Sequence, residues 1–269
     1  MASSRWIART LAVLMTLSWG ACEPGGSEPA AVSLAVVAAD DGITPCANDL
    51  GWTVTLDEVR VAVADLEFTI EGETHAADTS SRASRVARRL VNLMVPAAMA
   101  HPGHQAGGEV TGALSGDFVA DLLDGTALGV AVLLAGDYHG VNLSFRQAVV
   151  ADGLDESDPL VGHSAVLSGT AAKGDASIAF RAVLDVTPGV AMVGGPFDLA
   201  VRPDTDATLV LTLYTIDPSE GDTLFDGLDF GALDADGDGV LAIGPGEAAH
   251  NVLAKTLVRH DHWGIVVRP

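Results

Sequence analysis

Basic and aromatic residues are scarce in this chain. Its 269 residues include 14 Lys and Arg against 36 Asp and Glu, so the formal net charge is −22. Because nucleic-acid binding requires Lys and Arg to neutralise phosphates, this balance argues against a nucleic-acid partner and favours cation binding. Aromatic residues make up 5% of the chain, which is little for a sugar-binding platform.

Catalytic motifs are also missing. The sequence has no Gly-x-Ser-x-Gly elbow, phosphate-binding P-loop, dinucleotide fingerprint or His-Glu-x-x-His pair. The segment Gly162–Val166 begins like a nucleophile elbow but lacks the closing glycine. We therefore predict a protein without catalytic activity.

The N-terminus has the pattern of an export signal over residues 1–21. Arg5 and Arg9 precede an apolar core, Leu11–Leu17, that is too short to span a membrane. The following Gly20-Ala21-Cys22 resembles a bacterial lipobox, which implies that Cys22 is lipidated, although an ordinary secretory signal cleaved near Cys22 is the alternative. Residues 22–31 are Gly/Pro-rich and polar, which is typical of a flexible tether.

Export has consequences for charge and cysteine. Removal of residues 1–21 takes away two arginines and no acid, which leaves 12 basic and 36 acidic residues and a net charge of −24. The expected location is the bacterial cell envelope, with the lipid as the membrane anchor. Cys46 is then a lone thiol if Cys22 is lipidated, or a disulfide partner of Cys22 if it is not.

Short runs rich in Val, Ala, Leu and Thr alternate with polar turns through most of the chain. This spacing is typical of an antiparallel β-sandwich, Ig-like or jelly-roll-like, that fills one domain over residues 32–269. Predicted turns include GDYHG at 136–140 and VGGP at 193–196. A short amphipathic helix is expected near 82–95, and residues 218–269 are expected to hold an acidic loop, a helix over Glu247–Val258 and a last strand, His262–Val267.

The acidic loop is Asp234-Ala-Asp236-Gly-Asp238-Gly239. Its alternate aspartates match positions 1, 3 and 5 of a DxDxDG calcium loop, with glycine at position 6 and the carbonyl of Val240 at position 7. Three nearby carboxylates repel one another unless a cation lies between them. We predict a structural calcium ion here, and a solvated acidic turn is the alternative.

The second half of the loop departs from that pattern. Position 12, where an EF-hand has a bidentate glutamate, is Pro245, and Glu247 follows two residues later as a possible outer ligand. No second loop of this kind accompanies it. A calcium sensor is therefore not predicted.

Two histidine pairs predict a transition-metal site. His101-Pro-Gly-His104 suits a type II turn, which brings its first and last residues within about 7 Å. His260-Asp-His262, if extended, places both rings on one face of a strand. Imidazoles without a nearby thiol suit copper or zinc. The alternatives are a solvated turn and exposed histidines near the terminus.

Two strand segments, Leu133–Phe145 (LLAGDYHGVNLSF) and Trp52–Phe68, carry a family resemblance. They are similar to segments of exported bacterial β-sandwich lipoproteins and of the methanobactin-associated periplasmic copper-binding proteins. The resemblance implies an exported, metal-associated sandwich. It covers about 30 residues, and no copper-ligand motif of that family aligns residue by residue with this sequence.

Together these features predict an exported, lipid-anchored, non-catalytic metal-binding β-sandwich protein. Calcium is the expected structural ion, and copper or zinc is the expected ion of the histidine site. The alternative is a cell-surface adhesion, assembly or ligand-binding module, with a protein or glycan partner and only a structural ion. The membrane is the other expected partner, through Cys22.

Overall fold

The computed structural model describes residues 29–70 and 109–269. The predicted export signal (1–21), Cys22 and most of the tether lie outside the described residues. So do the helix predicted near 82–95 and the pair His101 and His104.

Twelve strands dominate the described residues, which confirms the prediction of a mainly β fold. The strands are β1 Ala31–Ala38, β2 Cys46–Ala47, β3 Thr53–Thr69, β4 Val110–Asp121, β5 Thr126–Leu134, β6 Gly136–Phe145, β7 Ala165–Lys173, β8 Ala176–Leu184, β9 Ala191–Val201, β10 Thr208–Leu213, β11 Val240–Ile243 and β12 Trp263–Arg268. The helices are α1 Phe230–Leu233 and α2 Ala248–Leu257, with 3-10 turns at Val150–Asp152 and His260–His262.

Hydrogen bonds join these strands into one open sheet. Its main path runs β11-β8-β7-β3-β4-β5-β1-β10-β12, with β2 and β6 also paired to β3, and β9 paired to β6. The long strand β3 is the hub because its first half pairs with β7 and its second half lies between β4 and β6. A two-layer sandwich stays an interpretation of how this sheet closes over its core.

Two strand pairs depart from the predicted antiparallel pattern, so the sheet is mixed. β1 pairs with β10, and β11 pairs with β8, in parallel, whereas the other pairs among the described strands are antiparallel. Parallel neighbours need a long connection between them, and each pair here is separated by many residues of chain. Alternation of apolar residues cannot distinguish the two pairings, because both present side chains with a period of two.

The sheet curls until distant strands pack face to face. Phe145 of β6 and Trp263 of β12 have ring centroids 6.0 Å apart, although these strands share no ladder. A Cβ placed on Gly195 of β9 would lie 3.1 Å from the carbonyl oxygen of Trp263. One large cluster of buried side chains therefore connects the two ends of the sheet.

Two predicted turns were wrong, because GDYHG lies within β6 and VGGP lies within β9. Glycine inside a strand marks a bulge or a close backbone approach. The pairing of β6 with β9 shifts register between Tyr138 and Gly140, and Gly194 has a φ of 85°. These glycines therefore bend continuous strands that the sequence pattern breaks into pieces.

The C-terminal helix is confirmed as α2, which packs on the core through Ala249, Leu253 and Leu257. The last strand begins one residue later than predicted, at Trp263, because the preceding three residues form a 3-10 turn. Within the ranges 29–70 and 109–269, no helix is both long and apolar enough to cross a membrane.

Candidate metal centre

The acidic loop connects α1 to the edge strand β11 at one end of the sheet. Asp229 caps the N-terminus of α1 and also accepts a hydrogen bond from Trp52 Nε1 at 3.1 Å. Phe230 is fully buried against Trp52, with ring centroids 5.9 Å apart. On the other side, Gly239 O accepts a hydrogen bond from Ala179 N of β8. Both ends of the loop are therefore held by the core and the sheet.

The loop brings the three predicted carboxylates together. Oxygen atoms of Asp234, Asp236 and Asp238 all lie within 4.8 Å of one another. Gly237 and Gly239 have φ values of 69° and 78°, a left-handed conformation that glycine adopts without steric cost. The sequence thus predicted both the ligand spacing and the glycines that turn the chain between them.

Internal hydrogen bonds use only part of these carboxylates. Asp234 Oδ2 accepts a hydrogen bond from Gly239 N at 3.1 Å, and Asp238 Oδ1 accepts one from Val240 N at 2.8 Å. Asp234 Oδ1 is buried and has no hydrogen-bond partner in the described part of the chain. A buried carboxylate oxygen without a donor is costly, so this atom is a ready ligand for a cation.

The carbonyl of Val240 is directed away from β8, on the side of β11 where Val240 N–H reaches Asp238. Gly239 O faces β8, and successive residues of a strand direct their backbone groups to opposite sides. The N–H of Val240 reaches Asp238, and the carbonyl of the same residue shares that side. The backbone therefore supports the predicted fourth oxygen.

Glu247 does not join this group. It follows β11 at the end away from the aspartates, and its Oε2 accepts a hydrogen bond from Gly244 N at 3.1 Å. The extended β11 separates the two ends, since a strand advances about 3.3 Å per residue. A role as outer ligand is not supported by this arrangement, and calcium here would complete its six to eight oxygens with water.

The described histidine pair is not arranged as predicted. His260 and His262 lie in a 3-10 turn instead of a strand, so their rings do not share one face. His260 Nε2 contacts Asp261 Oδ1, whereas His262 is fully buried and its Nδ1 donates to Tyr214 O at 2.8 Å. The two imidazoles of this pair therefore lie in different environments. His101 and His104 lie outside the described residues.

A second acidic group, which the sequence analysis missed, lies in the loop that follows β10. Carboxylate oxygens of Asp217, Glu220 and Asp222 approach one another within 4.8 Å. The signal that could have found it is the loop Asp217-Pro-Ser-Glu220-Gly-Asp222, whose proline and glycine predict a tight turn carrying three acids.

A His–Asp pair borders a surface groove of about 460 Å³. His163 Nδ1 lies 2.7 Å from Asp185 Oδ1, an arrangement that in some enzymes activates a nucleophile. The residues that line this groove include no Ser, Thr or Cys: Pro159, His163, Arg181, Val183, Ala242, Ile243, Gly244, Pro245 and Glu247. Among the described residues of the groove lining, this pair therefore meets no hydroxyl or thiol side chain.

Cys46 is a buried free thiol in the core. Burial raises its pKa to about 11, and the nearby charge of Asp226 acts in the same direction. The thiol is therefore protonated near neutral pH, and a protonated buried thiol is a poor nucleophile and a poor metal ligand.

Comparison of the chain with protein-family models, with curated proteins and with solved structures gives no match to any of them.

Proposed function

We propose that this chain is an exported, lipid-anchored, non-catalytic protein that binds a structural calcium ion in the loop Asp234–Asp238. The convergence of the three aspartate carboxylates, with Asp234 Oδ1 buried and unpartnered, is the observation that carries the proposal. In the described part of the chain, no basic side chain pairs with these aspartates, so a cation has no competitor there.

The calcium ion would stabilise β11, the strand at the edge of the sheet. β11 pairs only with β8 among the described strands, and the loop is its sole direct connection to α1. Without a cation, the mutual repulsion of the carboxylates opposes the turn that starts β11. Bound calcium would remove this repulsion and hold α1, β11 and the following α2 on the core.

Export and lipidation belong to the proposal on sequence grounds alone. The support is the charged start, the short apolar core and Gly20-Ala21-Cys22, followed by a polar tether. Such an anchor would hold an acidic protein at a membrane whose anionic surface repels it.

The four-histidine site is not part of this proposal. His260 is engaged by Asp261, and the 3-10 turn directs His262 elsewhere. A copper or zinc site at His101 and His104 stays a prediction from the sequence.

Calcium titration of chelator-treated protein by calorimetry tests the calcium site. We expect one ion at this loop in the wild type and its loss in Asp236→Asn/Asp238→Asn. Asp204→Asn/Asp206→Asn is the matched control, because it removes the same charge from another exposed loop. The proposal is wrong if the wild type binds no calcium, or if the two double variants bind it equally well.

Expression of the full chain in a diderm bacterium tests the anchor. We expect labelled fatty acid on the wild type, which should sediment with membranes, and neither property in Cys22→Ser. Cys46→Ser is the control. An unlabelled wild type, or a labelled Cys22→Ser variant, would refute lipidation at Cys22.

A further inference from the structure

Three neighbouring strands of the sheet, β5, β1 and β10, contain no Asp, Glu, Lys or Arg, although 19% of the chain is charged. Alternate side chains of β1 are buried in the core, and the side chains between them lie opposite residues of β5. These outward pairs, here called the uncharged face, are Ala31–Leu134, Ser33–Val132, Ala35–Val130 and Val37–Ala127. All of their side chains are apolar except the hydroxyl of Ser33.

The uncharged face is exposed in the described structure. Val130 and Val132 are 58% and 52% exposed, and Ala113 of β4 extends the face next to Val132. Because neighbouring strands lie about 4.8 Å apart and residues of one face recur about every 6.7 Å along a strand, the face covers about 300 Å². Apolar patches of this size on a monomer often mark a binding surface.

The predicted N-terminal tether joins the molecule at the edge of this face. Ala135 N donates to Ala30 O at 2.8 Å, so the chain enters the ladder beside the end of β5. Ala31, the first residue of β1, follows Cys22 by nine positions. Nine residues span at most about 30 Å, and about 16 Å on average in a random coil. A lipid at Cys22 would therefore keep the uncharged face close to the membrane.

The charge of the remaining chain favours the same orientation. Without residues 1–21 the net charge is −24, and β4 presents the exposed Asp117 beyond the border of the face. A membrane surface that contains anionic lipids repels such acidic groups. The uncharged face meets no such repulsion, and burial of its apolar side chains in the interfacial region is favourable.

We propose that the uncharged face lies against the lipid bilayer, at the boundary between headgroups and acyl chains. The proposal rests on the anchor at Cys22, which belongs to the proposed function. A second copy of this chain is the alternative occupant, but a stable dimer buries about 800 Å² on each partner, which is more than this face provides. The face would orient the domain on the membrane, which an anchor at one residue does not do by itself.

Quenching of tryptophan fluorescence by brominated phosphatidylcholine tests the contact. The full chain is expressed in a diderm bacterium, and Cys22, if it carries no acyl chain, is coupled to a maleimide-bearing phospholipid in the vesicles. Cys46→Ala in all proteins leaves Cys22 as the sole thiol. Because the anchor is then present whether or not the cell lipidates Cys22, the result is separate from that of the fatty-acid labelling experiment.

The emission of a tryptophan at position 132 should report the bilayer directly. We expect about twofold quenching of Val132→Trp in brominated vesicles, because interfacial side chains lie against the upper acyl chains. Ser177→Trp, at an exposed position of β8, is the matched control and should lose little emission. Trp52 and Trp263 are buried and common to all variants, so their emission is subtracted with that of the parent. Val130→Trp repeats the measurement if Val132→Trp fails to fold.

A charge on the face should abolish the contact. Ala35→Asp should reduce the quenching of Val132→Trp to the level of the Ser177→Trp control, because the carboxylate would have to enter the interfacial region. Ser177→Asp should leave the quenching of Val132→Trp unchanged.

Equal quenching of Val132→Trp and Ser177→Trp overturns the proposal. So does a dimer of the unanchored Cys22→Ser chain in sedimentation that Ala35→Asp converts to a monomer, since the face would then bind a second copy. Protection of Val132→Trp from acrylamide in a vesicle-free, monomeric Cys22→Ser chain would also overturn it, because residues of the same chain would then cover the face.

Discussion

The two acidic loops differ in where their compensating charge comes from. The acidic loop Asp234–Asp238 is mostly exposed, has no basic partner among the described residues and draws its carboxylates from one short segment. The cluster Asp217–Asp222 is partly buried, and its Asp222 pairs with Arg259 from a distant part of the chain. Acidic residues near each other thus have different chemistry, because burial decides how much of their charge water can screen.

Of the substitutions that test this difference, Arg259→Met should change the free energy of unfolding the most. In metal-free protein, Arg259→Met leaves Asp222 and Asp261 without their cation, and we expect a loss of about 3 kcal/mol in the free energy of unfolding. Urea denaturation measures it. Arg202→Met is the control, because Arg202 and Asp137 form an exposed pair whose loss should cost less than about 1 kcal/mol. Equal losses in the free energy of unfolding for Arg259→Met and Arg202→Met would contradict the difference between a partly buried cluster and an exposed ion pair.

Calcium should stabilise the protein through the exposed loop. At a free calcium concentration about 100-fold above Kd, the free energy of unfolding should rise by about 2.7 kcal/mol. Asp234→Asn should abolish this gain, since it removes the negative charge of the carboxylate whose Oδ1 is buried without a partner. Thermal unfolding with calcium and with chelator gives the comparison, and a calcium effect that persists in Asp234→Asn would place the ion elsewhere.

Acid titration of an ordinary ion pair provides a reference for both loops. Hydrogen bonds from Arg60 lower the pKa of Asp158 below its usual 3.8, with burial acting against them. A lowered folded-state pKa contributes stability above the unfolded value, and this contribution is lost as pH falls through the folded pKa. Asp158→Asn should therefore cost about 2 kcal/mol near pH 6 and progressively less below pH ~4.

Urea denaturation between pH 6 and pH 2 measures how the difference in the free energy of unfolding between Asp158→Asn and the wild type shrinks as the pH falls. Asp137→Asn, at an exposed pair, should show little difference from the wild type at any pH. A constant gap between Asp158→Asn and the wild type down to pH 2 would contradict the assignment.

The smallest expected effect concerns the backbone of the acidic loop Asp234–Asp238. Gly239→Ala should cost about 1 kcal/mol in metal-free protein, because its φ of 78° is unfavourable for a residue with a Cβ. Calcium affinity should fall as well, since Gly239 N donates to Asp234. Gly244→Ala, which has open space around its Cβ and no positive φ, is the control and should be nearly neutral. If both glycines tolerate alanine equally in urea denaturation, the loop is not conformationally constrained.

Features of the fold and of the candidate site could be predicted where they depend on residues that are close together in the sequence. Mainly β structure and α2 follow from the period of apolar residues, and the loop Asp234–Asp238 follows from ligands at alternate positions of one segment. Glu247 fell outside the loop because β11 continues extended instead of turning back. The glycines at 140 and 194 misled the turn prediction, since bulges and turns use the same residue.

The sequence by itself determined the acidic charge, the strand content and the calcium-like loop, because each depends on composition or on residues a few positions apart. Only the tertiary structure decided the parallel pairing of β1 with β10, the different environments of His260 and His262, and the ion pair of Arg259 with Asp222. These are contacts between segments far apart in the chain. They are selected by packing of the whole core, which no local pattern encodes.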